Sequence, residues 1–430
     1  MITRKFFGLT LTAILSSTLY IPFASSLSLD DVVQQTIATN PDVEAARKEV
    51  LAREYEIKGA KAGYRPTIDA ELGAGYEWTK SPATGGESVD LTRKEAALRL
   101  RQLIYAGGEV SKEVARQRAR YESAKFQAAA TEANTALRAT EVYLSVIRQS
   151  ELLILLRDSL DTHQNIFDQM QLRSNAGVGS QSDLDQIAAR LSLAKSNYIA
   201  GDNNLKDAVT NFYRVVGYVP EQDVLQVPAG VTVTSTLEEA LNIAYEQHPQ
   251  LLSANADILA AEAQFDASKV GNYPRISLEA DRTWNDDIDG IEGTNEDLVI
   301  ALRLRYRLYG GGETSSRKKQ TAELLDEAIA IRNSTKRQVE ESLRLSWYAH
   351  QTTSQQINFL EDYVQTVQAT KDAYEQQFSL NKRTFLDLLN TQNELLDARQ
   401  TYVNIKYDQL FSQYRIAHGE GQLGTKVVIK

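Results

Sequence analysis

The chain has 430 residues, 42% hydrophobic and 24% charged, with 47 Lys plus Arg against 57 Asp plus Glu. A formal charge of −10 argues against nucleic-acid binding, which relies on Lys and Arg to neutralise phosphates. With no Cys there is no disulfide framework, thiolate metal site, cysteine nucleophile or lipid-accepting thiol. Length alone would allow two or three ordinary domains.

Arg4 and Lys5 precede an apolar run from Phe6 to Phe23, interrupted by Ser16, Ser17 and Thr18 and closed by Pro22. A charged start before a short apolar stretch predicts a secretory signal peptide rather than a membrane span. Ala24-Ser25-Ser26 supplies small residues for cleavage after Ser26, so residues 1–26 are expected to be removed. Loss of Arg4 and Lys5 leaves 45 basic against 57 acidic residues, a mature charge of −12. The chain is expected to be exported.

The next segment opens an internal repeat. Leu29-Asp30-Asp31 through Asn40-Pro41 matches Leu237-Glu238-Glu239 through His248-Pro249 at an offset of 208. Tyr105-Ala106-Gly107-Gly108-Glu109 matches Tyr309-Gly310-Gly311-Gly312-Glu313 at an offset of 204, and Asp183-Leu184 matches Asp387-Leu388 at the same offset. The chain therefore divides into residues 27–218 and 236–421, with a connector at 219–235 and a tail at 422–430.

Each half predicts the same elements in order. Two helices meet at Asn40-Pro41 and at His248-Pro249, where Pro ends one helix and sits naturally in the first turn of the next. Strands are expected at about 66–79 and 95–105, then at about 275–285 and 296–309. On the first, Ile68, Ala70, Leu72, Ala74, Tyr76 and Trp78 alternate with Asp69, Glu71 and Glu77. Arg99 and Arg101 alternate with Leu98 and Leu100, Glu279 and Asp281 with Leu278 and Ala280, and Arg303 and Arg305 with Leu302 and Leu304. Period two with one apolar and one charged face is a half-buried strand.

Helices are predicted over 109–175, 181–217, 313–379 and 384–418. Neither Gly nor Pro interrupts the two longest, each on the order of 100 Å at 1.5 Å per residue. Ala139, Val142, Val146, Leu153, Leu156, Leu160 and Phe167 hold a coiled-coil-like spacing, and His163 falls on that seam as a packed histidine. The strands are close to the ~9–11 residues of a tilted membrane strand, and their apolar faces carry Tyr76, Trp78, Trp284 and Tyr306 as an interfacial girdle. A sheet in lipid must close, which four strands cannot do, so several chains would share one barrel. Soluble hairpins on a helical bundle are the alternative.

In this order and twice over, three signals resemble the TolC family of outer-membrane efflux proteins across the whole mature chain. They are the Asn40-Pro41 and His248-Pro249 breaks, Pro66 and Pro274 before the strands, and the Tyr-x-Gly-Gly turns at Tyr105 and Tyr309. The helix-joining segments complete the resemblance: Asn175-Ala176-Gly177-Val178-Gly179-Ser180 before Asp183, and Asn381-Lys382-Arg383-Thr384 before Asp387. It implies an α+β homotrimer with four strands per chain in a twelve-stranded barrel in outer-membrane lipid, continued by a helical barrel across the periplasm. Asp69, Glu71, Arg99, Arg101, Glu279, Asp281, Arg303 and Arg305 would line the barrel lumen.

The resemblance further implies that Gly177, Val178, Gly179, Asn381, Lys382 and Thr384 form a tip that contacts a periplasmic adaptor. The adaptor would link the duct to an inner-membrane ABC or proton-driven transporter. Ser182, Asp183, Arg383 and Asp387 match residues that close the tip, with Arg383–Asp183 contacts holding it shut and Asp387 forming a luminal carboxylate ring that favours cations. Phe378 and Asn390 depart from the pattern, standing for a tyrosine and a second aspartate.

His163, His248, His350 and His418 have no metal-ligand spacing, and no Lys-Ser/Thr follows Gly310-Gly311-Gly312. No cofactor and no enzymatic activity are expected. The predicted function is a passive exit duct for type I protein secretion. Multidrug efflux is the alternative, and a secreted coiled-coil adhesion protein without a pore is an alternative of another class.

Overall fold

The computed structural model describes residues 28–178, 180–220, 225–380 and 382–424. The expected signal peptide, Gly179, Asn381 and residues 425–430 of the expected tail lie outside the described residues. In chain order the elements are α1 (Leu29–Thr39), α2 (Pro41–Ala62), β1 (Thr67–Lys80), β2 (Ser88–Tyr105), α3 (Glu109–Asn175) and α4 (Gln181–Val216). The second half repeats them as α5 (Leu237–Gln247), α6 (Pro249–Ser268), β3 (Arg275–Ile288), β4 (Ile291–Arg305), α7 (Glu313–Ser379) and α8 (Phe385–Gly419).

Local chemistry accounts for the breaks. Asn40 Oδ1 accepts from the N–H groups of Asp42 (2.9 Å) and Val43 (3.3 Å), capping α2 with Pro41 in its first turn. His248 takes the same place in the second half, its Nδ1 accepting from the Gln250 N–H at 3.3 Å. Each long helix starts from two successive left-handed glycines, Gly107 and Gly108 (φ 59° and 83°) and Gly311 and Gly312 (φ 62° and 87°). Only Gly adopts such a pair without steric cost, and a Cβ on Gly107 would lie 2.6 Å from Tyr273.

The helices α3 and α7 have 67 residues each and run the length of the helical body. Along α3 pack α2 towards the sheet and α4 towards the far end; α6 and α8 do the same along α7. The largest core lies at the waist, where Leu29, Val32 and Val33 of α1 meet Tyr143 and Val146 of α3, Phe212 of α4 and Tyr407 and Tyr414 of α8. His163 lies on the expected seam, buried, with Nδ1 2.8 Å from the Ser159 carbonyl. The connector is tied to this core by two tyrosines. Tyr143 Oη donates to the Gln226 carbonyl (2.8 Å) and accepts from its N–H (3.1 Å), and Tyr414 Oη donates to the Ala229 carbonyl (2.9 Å).

The four strands form one antiparallel sheet in the order β1-β2-β3-β4. The hairpins run further than alternation of apolar residues predicts. β2 begins at Ser88 rather than 95 and β4 at Ile291 rather than 296, because polar residues such as Asp90, Thr92 and Lys94 continue the ladder past the apolar stretch. β4 ends at Arg305 rather than 309, where the chain turns into α7 and Arg307 pairs with Glu313 at 2.8 Å.

Candidate functional site

The register separates two faces of the sheet. Directly opposed residues share a face, and Asp69↔Arg99↔Asp281 and Arg101↔Glu279 place the eight expected lumen charges together on one. Their ion pairs cross the strands. Arg99 reaches Glu71 at 2.5 Å, and Glu279 forms ion pairs with Arg101 (3.5 Å) and Arg303 (2.5 Å) and accepts from the Ser277 hydroxyl (3.0 Å).

The opposite face is apolar and exposed in the single chain: Leu72 is 87% and Leu302 70% accessible, with Ile68, Leu98, Leu298, Ile300 and Leu304 beside them. The apolar stretch spans ten residue steps on β1, from Ile68 to Trp78. Tilted by ~45°, that length covers about 23 Å, close to the ~25 Å apolar band of an outer-membrane barrel. Its upper edge slides from Trp78 on β1 to Trp284 on β3 and Leu298 on β4, as it must when tilted strands keep a level band. Arg282 lies on this face and is folded towards the rim, stacked 5.0 Å from the Trp284 ring and paired with Glu296. No helix among the described residues is long and apolar enough to cross a membrane.

Below the sheet the charged face continues into a cavity of about 1000 Å³, lined by Glu109, Glu113, Arg275, Arg305, Arg307 and Glu313 among others. Glu109 and Glu313 sit in the first turns of α3 and α7, as their favourable interaction with the helix dipole requires. Each also holds an arginine at the sheet's end, Glu109 with Arg275 and Glu313 with Arg307.

At the far end the two helical hairpins turn. The Val178 N–H bonds the Arg173 carbonyl (3.0 Å) and the Gly177 N–H that of Ser174 (3.0 Å), with Gly177 at φ 75°. This is a Schellman closure built on a left-handed glycine. In the second turn the Lys382 N–H makes the same six-residue bond to the Gln377 carbonyl at 2.8 Å. Thr384 caps α8 reciprocally: its hydroxyl accepts from the Asp387 N–H (3.2 Å) and donates to Asp387 Oδ2 (2.8 Å). Among the tip residues expected to meet an adaptor, Val178 is exposed and Thr384 is spent on this cap.

The expected Arg383–Asp183 tie does not form within the chain. Arg383 folds back on α7 instead, its Nε donating to Gln377 Oε1 at 3.0 Å, its guanidinium 4.3 Å from the Tyr374 ring and 3.8 Å from Asp387. It stands just before the α8 cap, so its side chain meets the end of α7 before it can cross to α4. Ser182 likewise turns locally, its hydroxyl 2.6 Å from that of Ser180. The Thr384 hydroxyl, then the Thr384 N–H and Arg383, hold the Asp387 carboxyl below the usual carboxylate range.

Instead, a different pair bridges the hairpins. Arg190 of α4 donates to Asn390 Oδ1 of α8 at 3.1 Å, above a cluster of Met170, Ile187, Phe385 and Leu389. Phe378 joins that cluster, 6.2 Å from the Phe385 ring and under the Arg173 guanidinium at 5.3 Å. Asn390 stood out in the sequence as a departure, but Arg190 did not. Its position seven residues, about two turns, after Asp183 is the signal that points to the same helix face.

Each half thus contributes two strands to one two-faced sheet and one of the two 67-residue helices. The sequence profile described as "Outer membrane efflux protein" matches residues 32–218 and 240–418, one match per half. The chain belongs to the outer membrane efflux protein family. Among its relatives, outer membrane efflux protein BepC of Brucella suis biovar 1 is 22% identical, over 93% of this chain and 86% of the relative. Outer membrane protein TolC of Escherichia coli K12 is 25% identical over 93% and 84%, and proteases secretion protein PrtF of Dickeya chrysanthemi 22% identical over 93% and 89%. The crystal structure of VceC from Vibrio cholerae superposes with a TM-score of 0.78 at 15% identity, over 91% of this chain and 96% of that one.

As a member of this family the protein is an outer-membrane efflux channel that extends into the periplasm, and the resemblance to TolC seen in the sequence is borne out. The family is one of channels rather than enzymes, and the poreless adhesion reading is set aside. Its fold class is the expected one, four strands of a shared barrel continued by long helices.

Proposed function

We propose that three copies form one passive exit duct, engaged at its periplasmic tip by an adaptor and through it by an inner-membrane transporter, and that the duct serves type I protein secretion. The two-faced sheet carries this reading: its apolar face is solvated in a single chain and its two edges, β1 and β4, are unpaired there. A sheet with such a face is stable in lipid only when closed. The similarity to PrtF, a protein named for protease secretion, supports the cargo assignment. Small-molecule efflux is the second reading, favoured by the similarity to BepC, which is named for efflux.

Deleting the gene separates the two. Loss of a secreted protein from the medium with unchanged drug sensitivity supports protein secretion, whereas drug sensitisation with normal secretion supports efflux. Purified protein that forms no conducting trimers in planar bilayers would refute the duct itself.

A further inference from the structure

The charged face of the sheet alternates in sign strand by strand: Asp69 and Glu71 on β1, Arg99 and Arg101 on β2, Glu279 and Asp281 on β3, Arg303 and Arg305 on β4. Every step inside the chain is bridged, by Glu71–Arg99, Arg101–Glu279 and Glu279–Arg303. Three charges are left over among the described residues: Asp281 inside the sheet, whose opposite residue Arg99 is held by Glu71, and one on each edge strand. Arg99 stands opposite Asp69 but turns to Glu71, and Arg305 stands opposite Arg275, which turns to Glu109. Asp69 and Arg305 thus lack an ion-pair partner among the described residues, and they lie on the two open edges of the sheet, with opposite sign.

We propose that β4 of one copy pairs antiparallel with β1 of the next in the register that sets Arg305 opposite Asp69. The inference rests on the shared-barrel reading and specifies its seam. The same register places Arg303 opposite Glu71 and Ala301 opposite Gly73 on the luminal side. On the lipid side it aligns Leu302 with Leu72, Ile300 with Ala74 and Leu298 with Tyr76, so the apolar band runs unbroken across the seam.

Barrel geometry agrees. Within the chain Asp69 leads across the ladders to Arg99, Asp281 and Val299. In this register Val299 then faces Gly75 of the next copy, an advance of about six residues per chain and about eighteen for twelve strands. At ~3.3 Å per residue and ~4.8 Å between strands, that is a tilt of about 46°, near the usual range. A slide of about two residues one way tilts the strands by about 54°, outside that range, and uses Arg307, which Glu313 already holds. A slide the other way gives about 35° but leaves Arg305 opposite Thr67. The register sets Asp297 opposite Glu77, whose carboxylate is already engaged by Arg93 (3.2 Å) and the Gly290 N–H (2.9 Å).

The absence of Cys makes the test direct, because paired cysteines report a register without background. Ala301→Cys with Gly73→Cys, and Leu302→Cys with Leu72→Cys, cover both faces, one of which is the closer, non-hydrogen-bonded type of pair. In oxidised outer membranes at least one pair is expected to give covalent trimers. The displaced pairs, Ala301→Cys with Gly75→Cys or with Glu71→Cys, are expected to give about tenfold less. Separately, Asp69→Arg is expected to lower the temperature at which trimers dissociate in detergent, and Arg305→Asp added to it to restore that temperature. Stronger cross-linking of a displaced pair, or a double charge reversal no better than the single one, overturns the register alone. A wild-type protein that is monomeric in mild detergent overturns the shared barrel as well.

Discussion

Substituting His248 by Asn tests whether a buried imidazole makes the waist of the molecule acid-sensitive. His248 is 6% exposed and caps α6 through Nδ1, which accepts from the Gln250 N–H. The neutral ring is therefore the useful one, and a proton on Nδ1 would abolish the cap. Burial, with a smaller contribution from His418, whose ring lies 6.2 Å away, pushes the His248 pKa down from 6.5 to about 4. Burial also lowers the His418 pKa, while the buried Glu420 carboxylate nearby on the chain is engaged by the Thr234 hydroxyl.

Between pH 6.5 and 4 the unfolded histidine is protonated and the folded one is not, so stability falls as pH falls and levels off below 4. The slope is about 1.4 kcal/mol per pH unit, about 3 kcal/mol in all. With an unfolding entropy of about 2.1 cal/mol/K per residue, this corresponds to about 1.5 °C per unit in each chain. Asn40 caps α2 in the matching place of the first repeat, so His248→Asn keeps the cap and removes the titration. Thermal unfolding in detergent, followed by tryptophan fluorescence from pH 7 to 4, is expected to show a shallower slope in the variant by that amount. Equal slopes in the two proteins would refute the reasoning, since the carboxylates common to both cancel in the difference.

Other outcomes follow from the same geometry. Tyr143→Phe strips Gln226 of partners for both its backbone groups and is expected to cost about 1–3 kcal/mol, read as a lower melting temperature. Leu302→Arg puts a charge on the lipid face and is expected to cost about 2–4 kcal/mol near the midplane, read as reduced trimer in outer-membrane fractions. Gly177→Ala forces a Cβ into the left-handed region at a cost of about 1–2 kcal/mol, and is expected to loosen the tip and increase protease nicking there. Arg190→Ala removes the bridge to Asn390 and is expected to raise single-channel conductance, whereas Arg383→Ala, whose contacts are local to its own hairpin, should change it less. Asp387→Asn is expected to weaken cation preference if three such carboxylates ring the tip; unchanged selectivity would remove Asp387 from the ion path.

Much of this protein is legible in its amino-acid order because the controlling interactions are local. Alternation of Leu and Arg fixes which strand face meets lipid whatever lies beside it. Pro41, Pro249 and the paired glycines mark helix starts through their own backbone limits. The repeat, both helices of 67 residues, and the eight charges of one sheet face were all readable in this way. Tertiary structure decided which distant groups meet. Pairing of β2 with β3 joins the halves into one sheet and lets Glu279 bind arginines on both neighbouring strands. Packing at the tip sends Arg383 to Tyr374 and Gln377, and leaves the bridge to Arg190 and Asn390. An ion pair is decided by an ångström or two between elements some two hundred residues apart. Composition and charge narrow the partners, but only the fold sets that distance.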